Sequence, residues 1–292
     1  MRSTLFVLAL FLAACAGQTE RPKAPITVFA AASLARPLRV LADSFQRGAR
    51  ISTRAELGGS LEQARKITEL GRNPDVLMLV DDEVVAGLMP TYIDWYVRFA
   101  TNRVVVAYTS RSKHADSITS DNWWQILSRR DVSVGRADPA IAPAGRHALT
   151  VLRRAESYYR SPGLADRLMN RASLKYVRPN ATELAALLET GEVDYILDYE
   201  SVARQYRFKF VPLPDDLATA VLYSVSVPRQ AEHFEEGVEF VEFVLSEQGK
   251  QILRASHVNV LSTPVAIGSA VPPEISQLVR TAASAIITTA AR

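Results

Sequence analysis

The chain has 292 residues, of which 48% are hydrophobic and 22% are charged, and its formal net charge at pH 7 is +3. This composition predicts a globular protein and excludes a disordered chain. The Lys and Arg residues are dispersed and do not form a basic stripe with aromatic side chains, so we expect no nucleic-acid partner. Cys15 is the single cysteine, which excludes an internal disulfide and a thiolate metal site.

The first residues have the pattern of an export signal. Arg2 is followed by an apolar run at 5–12 that is too short to span a bilayer, so we predict a signal peptide at 1–14. Residues 12–15 (LAAC) resemble a lipobox, after which Cys15 becomes the lipidated first residue of the mature chain. The alternative is an ordinary cleaved signal with a chance cysteine. Residues 15–25 are polar and Pro-containing, and we predict a lipidated tether there.

Strand-like and helical patterns alternate along the rest of the chain, which is too long for one small core and predicts two lobes. The β-α-β order indicates an α/β protein with a parallel sheet and helices on both faces in each lobe. We place lobe 1 at 26–105 plus 220–292 and lobe 2 at 106–219, with two crossings near 103–110 and 206–222. The predicted strands are 26–30, 51–56, 75–80, 104–108, 132–137, 176–177, 195–198 and 221–227. The predicted helices begin near Leu34, Leu61, Trp123, Ala144 and Thr182, and one long amphipathic helix spans 234–255. A largely apolar segment at 282–291 is predicted to be a packed or frayed terminal helix.

Four places share one pattern, in which a strand ends, small residues follow and a helix begins. Ser33 and Ser60 are expected at helix N-caps, Pro143-Ala144-Gly145 opens another helix, and Asn180 with Glu183 has the spacing of a capping box. Helix starts leave backbone N–H groups unpaired, so several that converge on a cleft make an anion site without Lys or Arg. The alternative for each place alone is a cap with no ligand.

Almost the whole mature chain resembles the periplasmic molybdate-binding proteins and the related tungstate/molybdate-binding proteins of ABC transporters. The motifs that carry this resemblance are VFAAASL at 28–34, GGSL at 58–61, PDVLML at 74–79, YIDWYVRFATNRVVVAYT at 92–109, ADPAIAPAG at 137–145, RPNATELAALLETGEVDYILDYESVA at 178–203 and FVEFVLSEQGKQIL at 240–253. The resemblance implies a two-lobed type II periplasmic-binding-protein fold, with a mixed, mostly parallel sheet flanked by helices in each lobe and two hinge crossings. It also implies an extracytoplasmic lipoprotein, on the periplasmic or outer face of the membrane, that binds molybdate or tungstate between its lobes and delivers it to an ABC permease.

The family's ligand contacts carry over to five positions of this sequence. They are the serine of AASL, the serine of the glycine-rich turn, two backbone amides at helix starts and a tyrosine hydroxyl: Ser33, Ser60, Ala144, Ala181 and Tyr199. Arg146 and His147 follow the PAG turn and are expected on a solvated helix face, or on a rim that steers anions.

One departure from the family concerns carboxylates. The tungstate/molybdate branch uses two carboxylates to expand the metal centre, and the matching positions here are Ala142 and Ala181. We therefore expect an intact tetrahedral oxyanion that is held by hydrogen bonds alone. Asp138, Asp198 and Glu200 lie nearby in sequence as alternative ligands. We expect instead that Asp138 caps a turn and that the other two are structural or exposed, because a carboxylate beside a dianion is repulsive.

Three other functions remain as alternatives. The ligand is another anion, such as sulfate or a small carboxylate, or the chain is a sensor or structural lipoprotein that keeps the fold without transport. An enzyme with Ser33 or Ser60 as nucleophile is disfavoured, because no base has a suitable spacing and no G-x-S-x-G motif occurs. The four histidines (His114, His147, His233 and His257) lack metal-ligand spacing. We predict no catalytic residue, no cofactor and no free metal cation, and we expect a monomer.

Overall fold

The computed structural model describes residues 24–171, 174–219 and 221–281. The predicted signal peptide, Cys15, most of the tether and the segment 282–291 lie outside the described residues. No described helix has both the length and the apolar character that a membrane span needs.

The strands form two sheets, one in each lobe. In chain order they are β1 Ile26–Ala31, β2 Thr53–Gly58, β3 Val76–Val80, β4 Trp95–Asn102, β5 Val104–Tyr108, β6 Val134–Ala137, β7 Val177–Arg178, β8 Tyr195–Tyr199, β9 Lys209–Pro212, β10 Val221–Ser226, β11 Asn259–Gly268 and β12 Arg280–Thr281.

The helices pack on the faces of these sheets and connect the parallel strands. In chain order they are α1 Ala35–Ala49, α2 Ser60–Thr68, α3 Asp82–Ala86, α4 Trp123–Leu127, α5 Pro143–Tyr158, α6 Leu164–Arg171, α7 Ala181–Thr190, α8 Glu200–Gln205, α9 Phe234–Leu245, α10 Glu247–Ala255 and α11 Pro273–Ser276.

The first sheet has seven strands in the order β12-β11-β4-β10-β3-β1-β2, and the second has five in the order β7-β6-β8-β5-β9. β1 pairs in parallel with β2 and β3, which places the ends of all three strands at one edge. In the second sheet β6 is parallel to β8, while β5 is antiparallel to β8 and β9. Among the described strands, parallel and antiparallel pairings are equally frequent in each sheet. The prediction of two α/β lobes with mixed sheets is confirmed, whereas the sheets are not mostly parallel, because β4, β5, β9, β10 and β11 pair in antiparallel fashion.

The first crossing between the lobes is a single residue, Arg103, which lies between β4 and β5. The predicted end of lobe 1 at residue 105 falls inside β5, and the pairing of β5 with β8 and β9 assigns it to the second lobe. The apolar run at 104–107 has no turn residue to mark this boundary.

The second crossing is the segment between β9 and β10. β4 and β11 were not predicted as strands, although together they form one side of the first sheet.

The predicted helix at 234–255 is wrong in one respect, because it is two helices that meet at Ser246. Ser246 has ψ 164°, which ends α9, and its hydroxyl caps α10 by accepting the Gly249 N–H at 3.1 Å. A Cβ on Gly249 would lie 2.2 Å from the carbonyl oxygen of Phe243. The amphipathic period continues through the break, so the period alone did not reveal it.

Candidate functional site

A small cavity lies between the lobes, where strand ends and helix starts of both sheets converge. All five predicted contact residues line it. The complete lining is Ala31, Ala32, Ser33, Gly58, Gly59, Ser60, Val80, Ala142, Pro143, Ala144, Asn180, Ala181 and Tyr199. The two alanines at the family's carboxylate positions, Ala142 and Ala181, are therefore part of the same wall.

The size and charge of the cavity restrict what it can hold. Its volume is about 20 Å³, whereas one water needs about 10–15 Å³ and drug-sized ligands occupy pockets of about 300–1,000 Å³. No residue of the lining carries a formal charge at neutral pH. The arrangement therefore suits a ligand of a few heavy atoms that is held by hydroxyl and amide groups.

Two of the predicted helix starts have the expected local geometry. Asn180 caps α7 by accepting the Glu183 N–H at 3.0 Å, and its amide nitrogen donates to the Glu183 carboxylate at 2.9 Å. Pro143 opens α5, where its missing N–H is no loss. Ala144 and Ala181 lie in the first turns of these helices, where a backbone N–H has no carbonyl four residues back within the helix, and both residues line the cavity.

The predicted N-cap roles of Ser33 and Ser60 are wrong. Ser33 lies within a 3-10 turn at Ala32–Leu34 that precedes α1, and its side chain makes no capping bond. Ser60 is the first residue of α2, whose N-cap is Gly59. Other polar groups compete for both hydroxyls, which is why the motif alone misplaced them.

The Ser60 hydroxyl accepts the backbone N–H of Val80 at 3.0 Å, and both groups are buried. A backbone amide can only donate, so one lone pair of this hydroxyl is permanently occupied. The Ser60 proton is then available to an acceptor in the cavity. The Ser33 hydroxyl is in a similar position, because it accepts the Tyr223 hydroxyl at 3.0 Å.

Tyr199 reaches the cavity from the end of β8, and its hydroxyl lies 3.0 Å from His147 Nδ1. Burial raises the pKa of Tyr199 well above its ordinary value, so the phenol keeps its proton. Burial also lowers the pKa of His147, and this effect is larger than the opposing effect of the Asp81 charge. The imidazole is therefore neutral at pH 7. His147 was expected on a solvated face or rim, and its side chain is instead only 14% exposed, beside the tyrosine.

A few direct contacts join the lobes around the cavity. Asp81 at the start of α3 forms an ion pair with Arg146 on α5. The Glu62 N–H donates to the Ile141 carbonyl at 3.4 Å. The Thr182 hydroxyl donates to the carbonyl of Ala32 at 3.3 Å. The structure is therefore that of a closed cleft.

The three nearby carboxylates do not line the cavity. Asp138 accepts the Ala140 N–H at 2.9 Å and so caps its turn. Glu200 forms ion pairs with Arg103 and Arg204. Asp198 is completely buried and accepts the Tyr199 N–H at 2.7 Å, and burial raises its pKa to about 7.

A wider groove of about 620 Å³ lies beside the crossing at Arg103. Its arginines are all paired and partly exposed to solvent: Arg103 and Arg204 pair with Glu200, and Arg254 pairs with Glu247. Exposed, paired cations contribute little to anion binding. The small cavity is therefore the better candidate site.

Three polar residues of the cleft were not predicted from the sequence, namely Asp81, Gln205 and Tyr223. Gln205 donates to the Ser33 carbonyl at 3.3 Å. Asp81 follows a fully buried strand directly, and its φ of 79° is unusual for a residue with a side chain. That sequence position was a usable signal for Asp81. Tyr223 stands in a strand whose partner strands could not be known from the sequence.

Two α/β lobes with a small, uncharged cavity between them are typical of a solute-binding protein of the periplasmic type. The chain belongs to the bacterial extracellular solute-binding protein family, whose model matches residues 26–258. Over 95% of its length it is 32% identical to the molybdate/tungstate-binding protein WtpA of Pyrococcus abyssi, of which it covers 97%.

Two solved structures share the fold at low sequence identity. The sulfate-binding protein SubI of Mycobacterium tuberculosis superposes with a TM-score of 0.67 at 16% identity, with 82% of this chain and 88% of that chain covered. The periplasmic molybdate-binding protein of Azotobacter vinelandii gives a TM-score of 0.66 at 15% identity, with 81% and 100% covered. These likenesses confirm the type II periplasmic-binding fold.

Proposed function

We propose that this chain is the oxyanion-binding component of an ABC importer and that its ligand is molybdate or tungstate. The observation that carries the proposal is the convergence of Ser33, Ser60, Ala144, Ala181 and Tyr199 on one cavity of about 20 Å³ without a charged side chain. The similarity to a molybdate/tungstate-binding protein along almost the full length supports this ligand class.

The proposed selectivity follows from the donor character of the groups around the cavity. Backbone amides only donate, and the Ser33 and Ser60 hydroxyls each have a lone pair already occupied by a donor. A fully deprotonated tetrahedral anion offers only acceptors and matches this set. Hydrogen phosphate carries a hydroxyl that these groups do not accept while their own protons point at the anion, and a buried unpaired donor costs about 1–3 kcal/mol.

Tyr199 takes part in this donor set in one tautomer of His147. When Nδ1 carries the imidazole proton, it donates to the phenol oxygen, and the phenol proton is available to the anion. When Nε2 carries the imidazole proton, the phenol donates its proton to Nδ1 and cannot donate it to the anion. The bound anion therefore favours the Nδ1–H form, and Nε2 then faces Asp81 at 3.8 Å without a hydrogen bond.

Sulfate is the second candidate ligand, because the same donor set accepts any tetrahedral dianion and a sulfate-binding protein shares the fold. Sulfate is smaller, so only fit to the donor positions separates it from molybdate. A small carboxylate matches the tetrahedral donor set less well. A sensor or structural lipoprotein would have the same cleft, and a permease with its ATPase encoded beside this chain would favour transport.

Calorimetric titration of the purified protein with molybdate, tungstate, sulfate and phosphate at pH 7 tests the ligand. We expect tight binding of molybdate and tungstate and phosphate binding that is about 5- to 150-fold weaker. Tight binding of sulfate with none of molybdate would reject the proposed ligand. Absence of binding for all four anions would favour the sensor or structural protein.

Replacement of Ser60 is expected to weaken both ligand binding and folding. Ser60→Ala removes a hydrogen bond to a charged ligand, which is worth about 1.5–3 kcal/mol, or about 10- to 150-fold in molybdate affinity. It also leaves the buried Val80 N–H without its acceptor, so we expect the free energy of unfolding to fall by about 1–3 kcal/mol. Titration measures the first effect and denaturant unfolding the second.

Ser226→Ala is the matched control, because Ser226 is a fully buried serine of the same lobe that does not line the cavity. Its hydroxyl donates to the Trp95 carbonyl at 2.5 Å. This variant should lose stability and keep its affinity for molybdate. Equal affinity of Ser60→Ala and the wild type would remove Ser60 from the proposed site.

The location of the protein is part of the same proposal. The apolar run at 5–12 and Cys15 support export followed by lipid anchoring at the cell envelope. Fractionation of cells that express the full chain tests this, and recovery of the mature protein with the soluble fraction would contradict the anchor. Delivery to a permease is tested by loss of molybdate uptake when this chain is deleted.

A further inference from the structure

Tyr223 is a fully buried tyrosine on β10 whose hydroxyl is surrounded by polar groups of three other segments. It lies 2.8 Å from Asn102 Nδ2, 3.0 Å from Ser33 Oγ and 3.5 Å from Ser201 Oγ. Asn102 is the last residue of β4, next to the crossing between the lobes, and Ser201 belongs to α8 of the second lobe. These contacts connect the crossing with the cavity.

The direction of the hydrogen bonds in this chain of groups is determined at Asn102. Its side-chain oxygen accepts two backbone N–H groups, from Arg103 at 3.0 Å and from Ser201 at 3.3 Å. Because backbone amides only donate, the amide nitrogen of Asn102 must be the atom that faces Tyr223. That nitrogen only donates, so the Tyr223 oxygen accepts from it.

The Tyr223 proton is then free for one of the two serines. Ser33 Oγ is nearer than Ser201 Oγ, and Ser201 Oγ already accepts from Asn102 Nδ2 at 2.7 Å. Burial raises the pKa of Tyr223, so this proton is retained at neutral pH. Ser33 Oγ therefore accepts from Tyr223, and its own proton is available to the cavity.

We propose that Tyr223 is a specificity-determining positioning residue, which occupies one lone pair of the Ser33 hydroxyl and so favours the orientation in which Ser33 donates its proton to the ligand. This inference rests on the proposed function of the cavity. Tyr223 does not line the cavity, so it acts through Ser33. Asn102 maintains the direction of the relay, which is defined here as Asn102, Tyr223 and Ser33.

The relay has a measurable consequence for the choice of ligand. Without the Tyr223 hydroxyl, the Ser33 hydroxyl can rotate, and its free lone pair can accept the hydroxyl proton of hydrogen phosphate. Molybdate loses an oriented donor, whereas hydrogen phosphate gains an acceptor. A merely structural defect would instead weaken all anions alike.

The test is titration of Tyr223→Phe with molybdate and with phosphate at pH 7, alone and combined with Ser33→Ala. We expect Tyr223→Phe to bind molybdate about three- to tenfold more weakly, the effect of one ordinary hydrogen bond, and to bind phosphate no more weakly than the wild type. In the Ser33→Ala background, Tyr223→Phe should have no further effect on molybdate, because the group it orients is absent.

Tyr195→Phe is the matched control. Tyr195 is a fully buried tyrosine of β8 whose hydroxyl donates to the Lys113 carbonyl. It does not line the cavity, and its variant should keep both affinities. Asn102→Ala is the second variant if Tyr223→Phe folds poorly, since it removes the donor that directs the relay. Asn102→Ala should also weaken molybdate binding when it is introduced into the wild type, and it should have no further effect when it is combined with Ser33→Ala.

The outcomes separate this inference from the proposed function. If the wild type binds no oxyanion, both fail. If the wild type binds molybdate and Tyr223→Phe binds it equally well, the relay is rejected and the ligand stands. Additive losses of Tyr223→Phe and Ser33→Ala, or an equal loss for every anion, would show that Tyr223 has only a structural role.

Discussion

Gly59→Ala is expected to lower the affinity for molybdate about 100-fold or more while the first lobe stays folded. A Cβ on Gly59 would lie 2.2 Å from the Ile141 carbonyl oxygen and 2.9 Å from the Ile141 carbonyl carbon, both in the opposite lobe. Neither atom belongs to a flexible side chain that could move aside. The lobes must therefore separate, which lengthens every hydrogen bond that the second lobe makes to the anion.

The backbone at Gly59 has no need of glycine for its own conformation. Its φ of −67° and ψ of 139° are accessible to any L-residue. The substitution should therefore act on closure and leave the fold of the lobe intact. Titration measures the affinity, and small-angle scattering with molybdate should show a more open molecule than the wild type.

Gly48→Ala provides the control for Gly59→Ala. Gly48 lies in α1, is exposed, and has no atom within 4 Å of an added Cβ. Alanine has a better helix propensity than glycine by about 1 kcal/mol, so this variant should be slightly more stable and bind normally. Wild-type affinity of Gly59→Ala would mean that the closed cleft described here is not the ligand-binding form.

The second large effect concerns stability and arises from Asp198. This carboxylate is completely buried, and among the described residues no hydrogen-bond partner reaches its Oδ2 atom. Burial raises its pKa in the folded protein to about 7, from an ordinary value of 3.8. Between these two values the unfolded chain has lost the proton while the folded protein still holds it.

The stability that the protonated Asp198 contributes is therefore fully present below about pH 4 and is lost as the pH rises through about 7. Each pH unit in this interval costs about 1.4 kcal/mol, so the total loss amounts to several kcal/mol. Asp198→Asn carries no titrating proton and keeps an oxygen for the Tyr199 N–H. We expect this variant to match the wild type near pH 4 and to exceed its free energy of unfolding by several kcal/mol at pH 8.

Denaturant unfolding of both proteins from pH 4 to pH 8 measures the difference directly. Asp75→Asn serves as the comparison, because both oxygens of the buried Asp75 accept backbone N–H groups, from Thr27 at 2.7 Å and from His233 at 2.8 Å. The side-chain amide of asparagine has only one oxygen and can replace only one of these acceptors. We therefore expect Asp75→Asn to be less stable than the wild type at pH 4 and at pH 8. A stability difference for Asp198→Asn that does not change with pH would contradict the raised pKa.

The sequence pattern allowed four of the five contact positions to be predicted, because small residues there follow a strand and open a helix, whereas Tyr199 was predicted from the family resemblance alone. Positions of that kind meet at one edge of a parallel sheet, so Ser33 and Ser60 could be expected side by side before their partners were known. Their predicted capping roles were wrong because a backbone amide from β3 and a phenol from β10 bind the same hydroxyls. Contacts between strands far apart in sequence have no local signature.

The same limitation explains Tyr223 and the helix break at Ser246. The alternation at 221–227 predicts a strand, but only the antiparallel placement of β10 between β3 and β4 puts Tyr223 beside Asn102 and Ser33. At Ser246 the apolar period runs on without interruption, and the break depends on a serine hydroxyl that bonds to the next turn. The boundary at Arg103 was displaced for a comparable reason, since two strands adjoin with no turn residue between them.

The one-residue crossing at Arg103 has a consequence for how long an anion stays bound. Asn102 adjoins this crossing and begins the relay to Ser33, while the donors of α5, α7 and β8 reach the anion only when the lobes meet. A rotation at the crossing therefore disturbs the first-lobe relay and withdraws the second-lobe donors together. For the proposed ligand, we therefore expect the dissociation rate to follow the opening frequency of this crossing, so that the residence time is a property of the hinge as much as of the contacts to the ligand.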